Sequence, residues 1–214
     1  MESKIIQKKA KLTKYRFSFG PWNIHTGSDP FGPPVRSEFS FSEKIKFYKK
    51  LGFDGVQFHD DDVVDAEATY SQMLNKAKRI KKILDEERLE TEFVAPRLWE
   101  DRRTIDGAAT SNCASDRQYA LDRSKRAVDI ARILGTKRIV LWPAREGTYI
   151  RESKDPKVAI GRMVDWLNYI LEYDKDIFIL GEMKPNEPMD QAFCPTCGHF
   201  IGLAYRTIDP DRVG

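Results

Sequence analysis

Glu182 and Lys184 stand two residues apart, directly after the apolar, β-prone run Ile177-Phe-Ile-Leu180. While the backbone stays extended, side chains two apart leave the same face. Pro185 and Pro188 then stop the strand and force a loop. A carboxylate and an ammonium are thereby placed side by side at the C-terminal mouth of a strand expected to be buried. A surface ion pair at a strand end is the competing reading. His59-Asp-Asp-Asp62 is a second cluster of this kind, following the short run Gly55-Val-Gln-Phe58. There a histidine with a carboxylate three residues on could act as a general base whose tautomer Asp62 fixes. Equally, three aspartates could solvate the strand end and cap the next helix.

Both clusters need elements to hold them. Tyr15-Arg-Phe-Ser-Phe19 alternates as a strand and is halted by Gly20-Pro21, leaving Trp22, Asn23 and His25 just beyond. The segment Gly27-Ser-Asp-Pro-Phe-Gly-Pro-Pro34 is a turn-rich loop with Phe31 at its tip, an aromatic set between breakers that suggests contact with something else. Ser42 followed by Glu43 opens a helical pattern that Gly52 ends. Thr91-Glu-Phe-Val94 and Arg138-Ile-Val-Leu-Trp142 read as further strands. Ser115-Asp-Arg-Gln118 reads as a capping box, and Asp155-Pro156 as an N-cap with proline at the first helical position. Strand and helix alternate five times without a hairpin signal, the mark of parallel β/α units. Polar and aromatic residues at all five strand ends point to an α/β fold of the (β/α)8 TIM-barrel type, incomplete at about five units. The expected organisation is a basic tail over 1–14 and a partial barrel domain over 15–214.

Composition narrows the function classes. The chain has 214 residues and a net charge of +3, with 32% charged residues. That charge gives no case for a nucleic-acid surface. No window approaches the roughly 18 apolar residues that span a membrane, and the charged N-terminus lacks the apolar core of a signal peptide. Three cysteines do not make a disulfide framework, and Cys194-Pro-Thr-Cys197 has no second pair to complete a zinc site. A soluble, cytoplasmic protein is expected.

Five dispersed motifs carry a resemblance. They are Phe17-x-Phe19-Gly20-x-Trp22, Asp29-Pro-Phe-Gly32, Phe58-His-Asp-Asp-Asp62, Leu141-Trp142 with Arg145-Glu-Gly147, and Lys184-Pro-Asn-Glu-Pro188. Their order and spacing resemble the xylose isomerase family of the compact, actinobacterial type. The resemblance implies an aldose–ketose isomerase, D-xylose to D-xylulose, working by metal-assisted hydride shift. It implies two divalent cations per complete site, Mg²⁺ or else Mn²⁺ or Co²⁺, with Glu182 as a metal ligand. His59 is then the ring-opening histidine, oriented by Asp62, and Lys184 the donor to the substrate oxygen. Trp22, Phe93 and Trp142 become the aromatic walls, and Phe31 a loop aromatic entering a neighbouring subunit. The further ligands of the family, a bridging glutamate, a histidine and later aspartates, have no counterpart before Gly214. Pro143-Ala144 and Val94-Ala95 also depart from its pattern. The partners implied are an aldose and either a homo-oligomer or a complementing C-terminal half, with no nucleic acid and no membrane. A non-catalytic or split half-barrel subunit is an alternative. A weaker one is another metal-dependent barrel, such as a sugar epimerase or an endonuclease-IV-like enzyme.

Overall fold

A computed structural model describes residues 15–27, 33–186 and 188–214. The basic segment 1–14, the loop tip with Phe31, and Glu187 lie outside these residues. The elements run β1 (Ser18–Phe19), α1 (Phe41–Leu51), β2 (Gly55–His59), α2 (Asp60–Val63), α3 (Tyr70–Glu87), β3 (Glu90–Ala95), α4 (Ala114–Leu134), β4 (Arg138–Leu141), β5 (Gly147–Thr148), α5 (Pro156–Tyr173), β6 (Phe178–Gly181), β7 (Gln191–Ala192) and α6 (Cys197–Ala204). One five-stranded sheet has the order β1-β2-β3-β4-β6. Every neighbouring pair in it is parallel. β5 and β7 form a separate antiparallel pair.

This is a partial TIM barrel. Val56 and Phe58 of β2, Val94, Ile139 and Ile179 face outward and are buried under Ile45, Met73, Ala77, Val128, Leu167 and Ile170 of the helices. The period of two then sends Gln57 and His59 to the opposite, concave face. On β6 the consequence is visible: Ile179 is buried, whereas Phe178 is 44% and Leu180 38% exposed. The expectation of a wholly buried strand is thus corrected. Only its helix-facing side is covered, because the described sheet is open and its concave side is uncovered. Beyond β6 the ladder continues, with Val213 bridging in parallel to Ile179.

Two helix starts differ from their sequence signals. α1 is capped by Ser40, not Ser42, because Glu43 lies three residues after Ser40 and returns a bond to its N–H. α4 starts after Cys113 with no side-chain cap. The Ser115 hydroxyl is engaged by Cys113 Sγ instead, so no box closes over Gln118. Asp155 caps α5 as its sequence suggested, and Thr196 caps α6. All three cysteines are free. Burial, with Cys197 adding to it, pushes the Cys194 thiol up to about 12. Cys194 belongs to the apolar core, and neither it nor Cys197 joins a metal-type cluster among the described residues. No described helix is long and apolar enough to cross a membrane.

Candidate active site

The C-terminal ends of the parallel strands open into a cleft of about 480 Å³ lined by Trp22, Asn23, Gln57, His59, Phe93 and Ala95, together with Arg97, Trp99, Val140, Trp142 and Glu182. That volume falls in the ordinary range for a small-molecule site. A groove of about 470 Å³ lies between α4 and α5, but its two arginines are engaged. Arg117 and Arg162 both donate to the Ser111 carbonyl, at 2.8 and 3.0 Å. The chemistry therefore gathers at the strand ends.

Each wall comes from a different strand. Trp22 sits in the short turn Pro21–Asn23 that Pro21 imposes after β1. Its ring lies 4.1 Å from the His59 ring, centroid to centroid. Trp99 lies 5.1 Å from the His59 ring, edge to face, and 4.7 Å from that of Trp142. An imidazole is thus in contact with two indoles, and a third indole contacts the second of them. Glu182 follows β6 directly, its N–H bonded to the Leu141 carbonyl of the neighbouring strand at 2.9 Å. The turn is tight for a reason: a Cβ on Gly181 would lie 2.6 Å from the Phe200 ring of α6. Glycine lets α6 pack flush behind the strand and so sets where Glu182 begins. Lys184 lies 5.3 Å from the centre of the Trp142 ring, a cation–π distance.

The structure therefore brings His59, Trp22, Phe93, Trp142 and Glu182 to one cleft, with Lys184 at its edge. Phe31 falls outside the described residues. Two residues that sequence reasoning missed also belong there, Arg97 and Trp99. Both follow the strand-stopping Pro96, as Trp22 follows Pro21, and that placement was their available signal. A third, Arg123, is mid-helix, and its signal was position alone. It shares the buried face of α4 with Ala120, Ala127 and Ala131.

These arginines organise the His59-Asp-Asp-Asp62 cluster. Asp60 is fully buried and accepts from Arg123 Nε at 2.9 Å, Arg123 Nη2 at 3.1 Å and the Arg97 N–H at 2.8 Å. Burial pushes its carboxyl up, against the pull of the facing guanidinium. Arg123 also reaches Asp61 at 2.9 Å. Arg97 donates to Asp61 at 2.8 Å, to Glu100 at 3.0 Å and to Asp62 at 3.4 Å, and its Nη2 lies 2.7 Å from His59 Nδ1. Asp62 Oδ2 accepts the backbone N–H of His59 at 2.8 Å.

Ligand-type atoms of His59, Asp61 and Asp62 lie within 4.8 Å of one another, the spacing of a metal site. The guanidinium of Arg97 already stands among them and binds all three side chains. Glu182 adds one carboxylate across the cleft. Such a set does not fit a resident Mg²⁺ or Mn²⁺, which demands several free oxygen ligands. Calorimetric titration of this chain with Mg²⁺ is expected to show no micromolar site. Heat of micromolar binding, lost in Glu182→Ala, would reverse that conclusion.

A family model described as the xylose isomerase-like TIM barrel matches residues 45–209. Among solved structures, a D-psicose 3-epimerase in the presence of D-fructose superposes with a TM-score of 0.64 at 14% identity, covering 93% of this chain and 62% of its own. An AP endonuclease, family 2, from Brucella melitensis gives 0.63 at 18% identity, with 93% and 66% covered. The 3-keto-D-glucoside 4-epimerase YcjR from E. coli gives 0.62 at 15% identity, with 87% and 64% covered. The chain thus spans somewhat less than two thirds of the length of these neighbours, and at such identities the likeness is one of fold.

Proposed function

The chain belongs to the xylose isomerase-like TIM-barrel family, and from that premise we propose that it carries the sugar-binding part of an enzyme that isomerises or epimerises a ketose or aldose. The observation that carries this reading is the indole-walled cleft at the strand ends, with His59, Glu182 and Lys184 around it. Faces of a sugar ring carry C–H groups that pack on indoles, while its hydroxyls need donors and acceptors at the rim. Asn23, Gln57, His59 and Glu182 supply those. Two of the neighbours above are epimerases by name, which favours this broader reading over D-xylose isomerisation in particular.

Isomerisation and epimerisation share one physical demand. Moving hydrogen at a carbon beside a carbonyl builds negative charge on oxygen, which a fixed cation stabilises best in a water-poor site. Lys184, its ammonium over the Trp142 ring, would meet that charge, and Glu182 would accept a proton at the reacting carbon. The three indoles supply apolar surface beside this region. A neighbouring subunit or a complementary half-barrel against the exposed Phe178 and Leu180 belongs to this proposal, since the concave face is otherwise open to water.

Tryptophan fluorescence tests the reading. Three of the four tryptophans, Trp22, Trp99 and Trp142, line the cleft. Titration with D-fructose, D-psicose and D-xylose is expected to shift their emission with millimolar affinity. Trp142→Ala is expected to weaken binding by about tenfold, the scale of one lost aromatic stack. No response to any of these sugars by the folded chain would sink the proposal.

A further inference from the structure

Histidine 59 has two rival partners at one nitrogen. Asp62 Oδ2 lies 3.3 Å from Nδ1 and would accept a proton there. Arg97 Nη2 lies closer, at 2.7 Å. A guanidinium has donors and no acceptor, and it stays charged in proteins. A hydrogen bond at that separation therefore requires a lone pair on Nδ1. Asp62 is meanwhile occupied elsewhere, by the His59 backbone N–H at 2.8 Å and by Arg97 at 3.4 Å. The arginine itself cannot turn away, because Asp61 and Glu100 hold its other nitrogens at 2.8 and 3.0 Å. Its backbone N–H is fixed as well, by buried Asp60.

We propose that Arg97 is a positioning residue that holds His59 in the tautomer with its proton on Nε2, so that the ring offers the cleft a hydrogen-bond donor and not a base. This reverses one of the two roles the sequence left open, in which Asp62 fixes a histidine acting as general base. The two roles need opposite protons. With Asp62 in control Nδ1 carries the hydrogen and Nε2 a lone pair that can take a proton from a hydroxyl. With Arg97 in control Nε2–H can polarise a ring oxygen or carbonyl but cannot accept from a hydroxyl. Contacts with the indoles of Trp22 and Trp99 hinder the imidazole from flipping to exchange its two nitrogens. That the donor meets a sugar oxygen rests on the reading above; the tautomer does not.

The test is ¹⁵N NMR of the full chain labelled at histidine and arginine, at a pH where the imidazole is neutral. His59→Gln assigns the signals among the three histidines. The Nε2–H tautomer is expected in excess by about tenfold or more, the scale of a charge-assisted hydrogen bond. A scalar coupling across the bond from Arg97 Nη2 to His59 Nδ1 is expected with it. In Arg97→Met the carboxylate of Asp62 becomes the sole partner, and the proton should move to Nδ1. A wild-type ring protonated on Nδ1 would overturn the proposal, and so would a folded Arg97→Met chain that keeps the Nε2–H form. Should that variant not fold, the wild-type coupling decides, supporting the proposal if present and overturning it if absent. The fluorescence titration with sugars is read separately, so either conclusion can fail alone.

Discussion

Arg123→Met is expected to destabilise the fold by about 3–5 kcal/mol, the cost of stranding a buried carboxylate without its partner. Asp60 is fully buried and Arg123 nearly so, with side-chain exposures of 0% and 7%. Removing the arginine leaves Asp60 with one remaining donor, the backbone N–H of Arg97. The loss should show as a lower urea midpoint with an unchanged slope. Its pH dependence has a definite sign. Burial already raises the Asp60 carboxyl. A carboxyl raised in the fold favours the folded state below its unfolded value of about 4 and opposes it as pH rises through the folded value. The variant should therefore lose least in acid and most at neutral pH. Adding Asp60→Asn should return a good part of the loss, since no buried charge then remains. A drop below about 1 kcal/mol at pH 7 would show that water reaches Asp60 and that the pair does not anchor the fold.

Glu146→Ala is expected to cost at least about 3 kcal/mol, because it orphans three buried amides at roughly 1–3 kcal/mol each. Glu146 is only 1% exposed. Its Oε1 accepts the N–H groups of Ala108 and Ala109, both at 3.0 Å. Its Oε2 accepts the Thr110 N–H at 2.9 Å and the Thr110 hydroxyl. One side chain thus gathers the loop that leads into α4 and clamps it against the loop after β4. Glu146→Gln should be nearly as damaging, since its amide would set donors against the Thr110 donors. Hydrogen exchange at Ala108, Ala109 and Thr110 reads this directly. Slow exchange in the native chain should become fast in either variant, and protection that survived would mean the loop is held by other bonds.

The sequence by itself determined the β/α alternation and most of the strand positions. Those signals are local: β-prone runs ended by Pro96 or by Gly20-Pro21, helices opened by Asp155-Pro156 and Thr196. Because parallel β/α units place all strand ends on one side, the sequence also determined that Trp22, His59, Trp142 and Glu182 would share a mouth. It could not decide what those residues do to one another. Arg97 and Asp62 both reach His59 Nδ1, and which one governs the ring depends on distances set by β3 lying beside β2. Arg123 meets Asp60 across 63 residues of chain. Glu146 looked like one letter of a motif until the fold set it beneath three amides. Periodicity and punctuation are properties of neighbours in sequence, whereas charge pairing and tautomer choice depend on atoms brought to within hydrogen-bonding distance by packing. For that reason the barrel was legible in the sequence, and the arginine-held histidine at its mouth was decided by the tertiary structure.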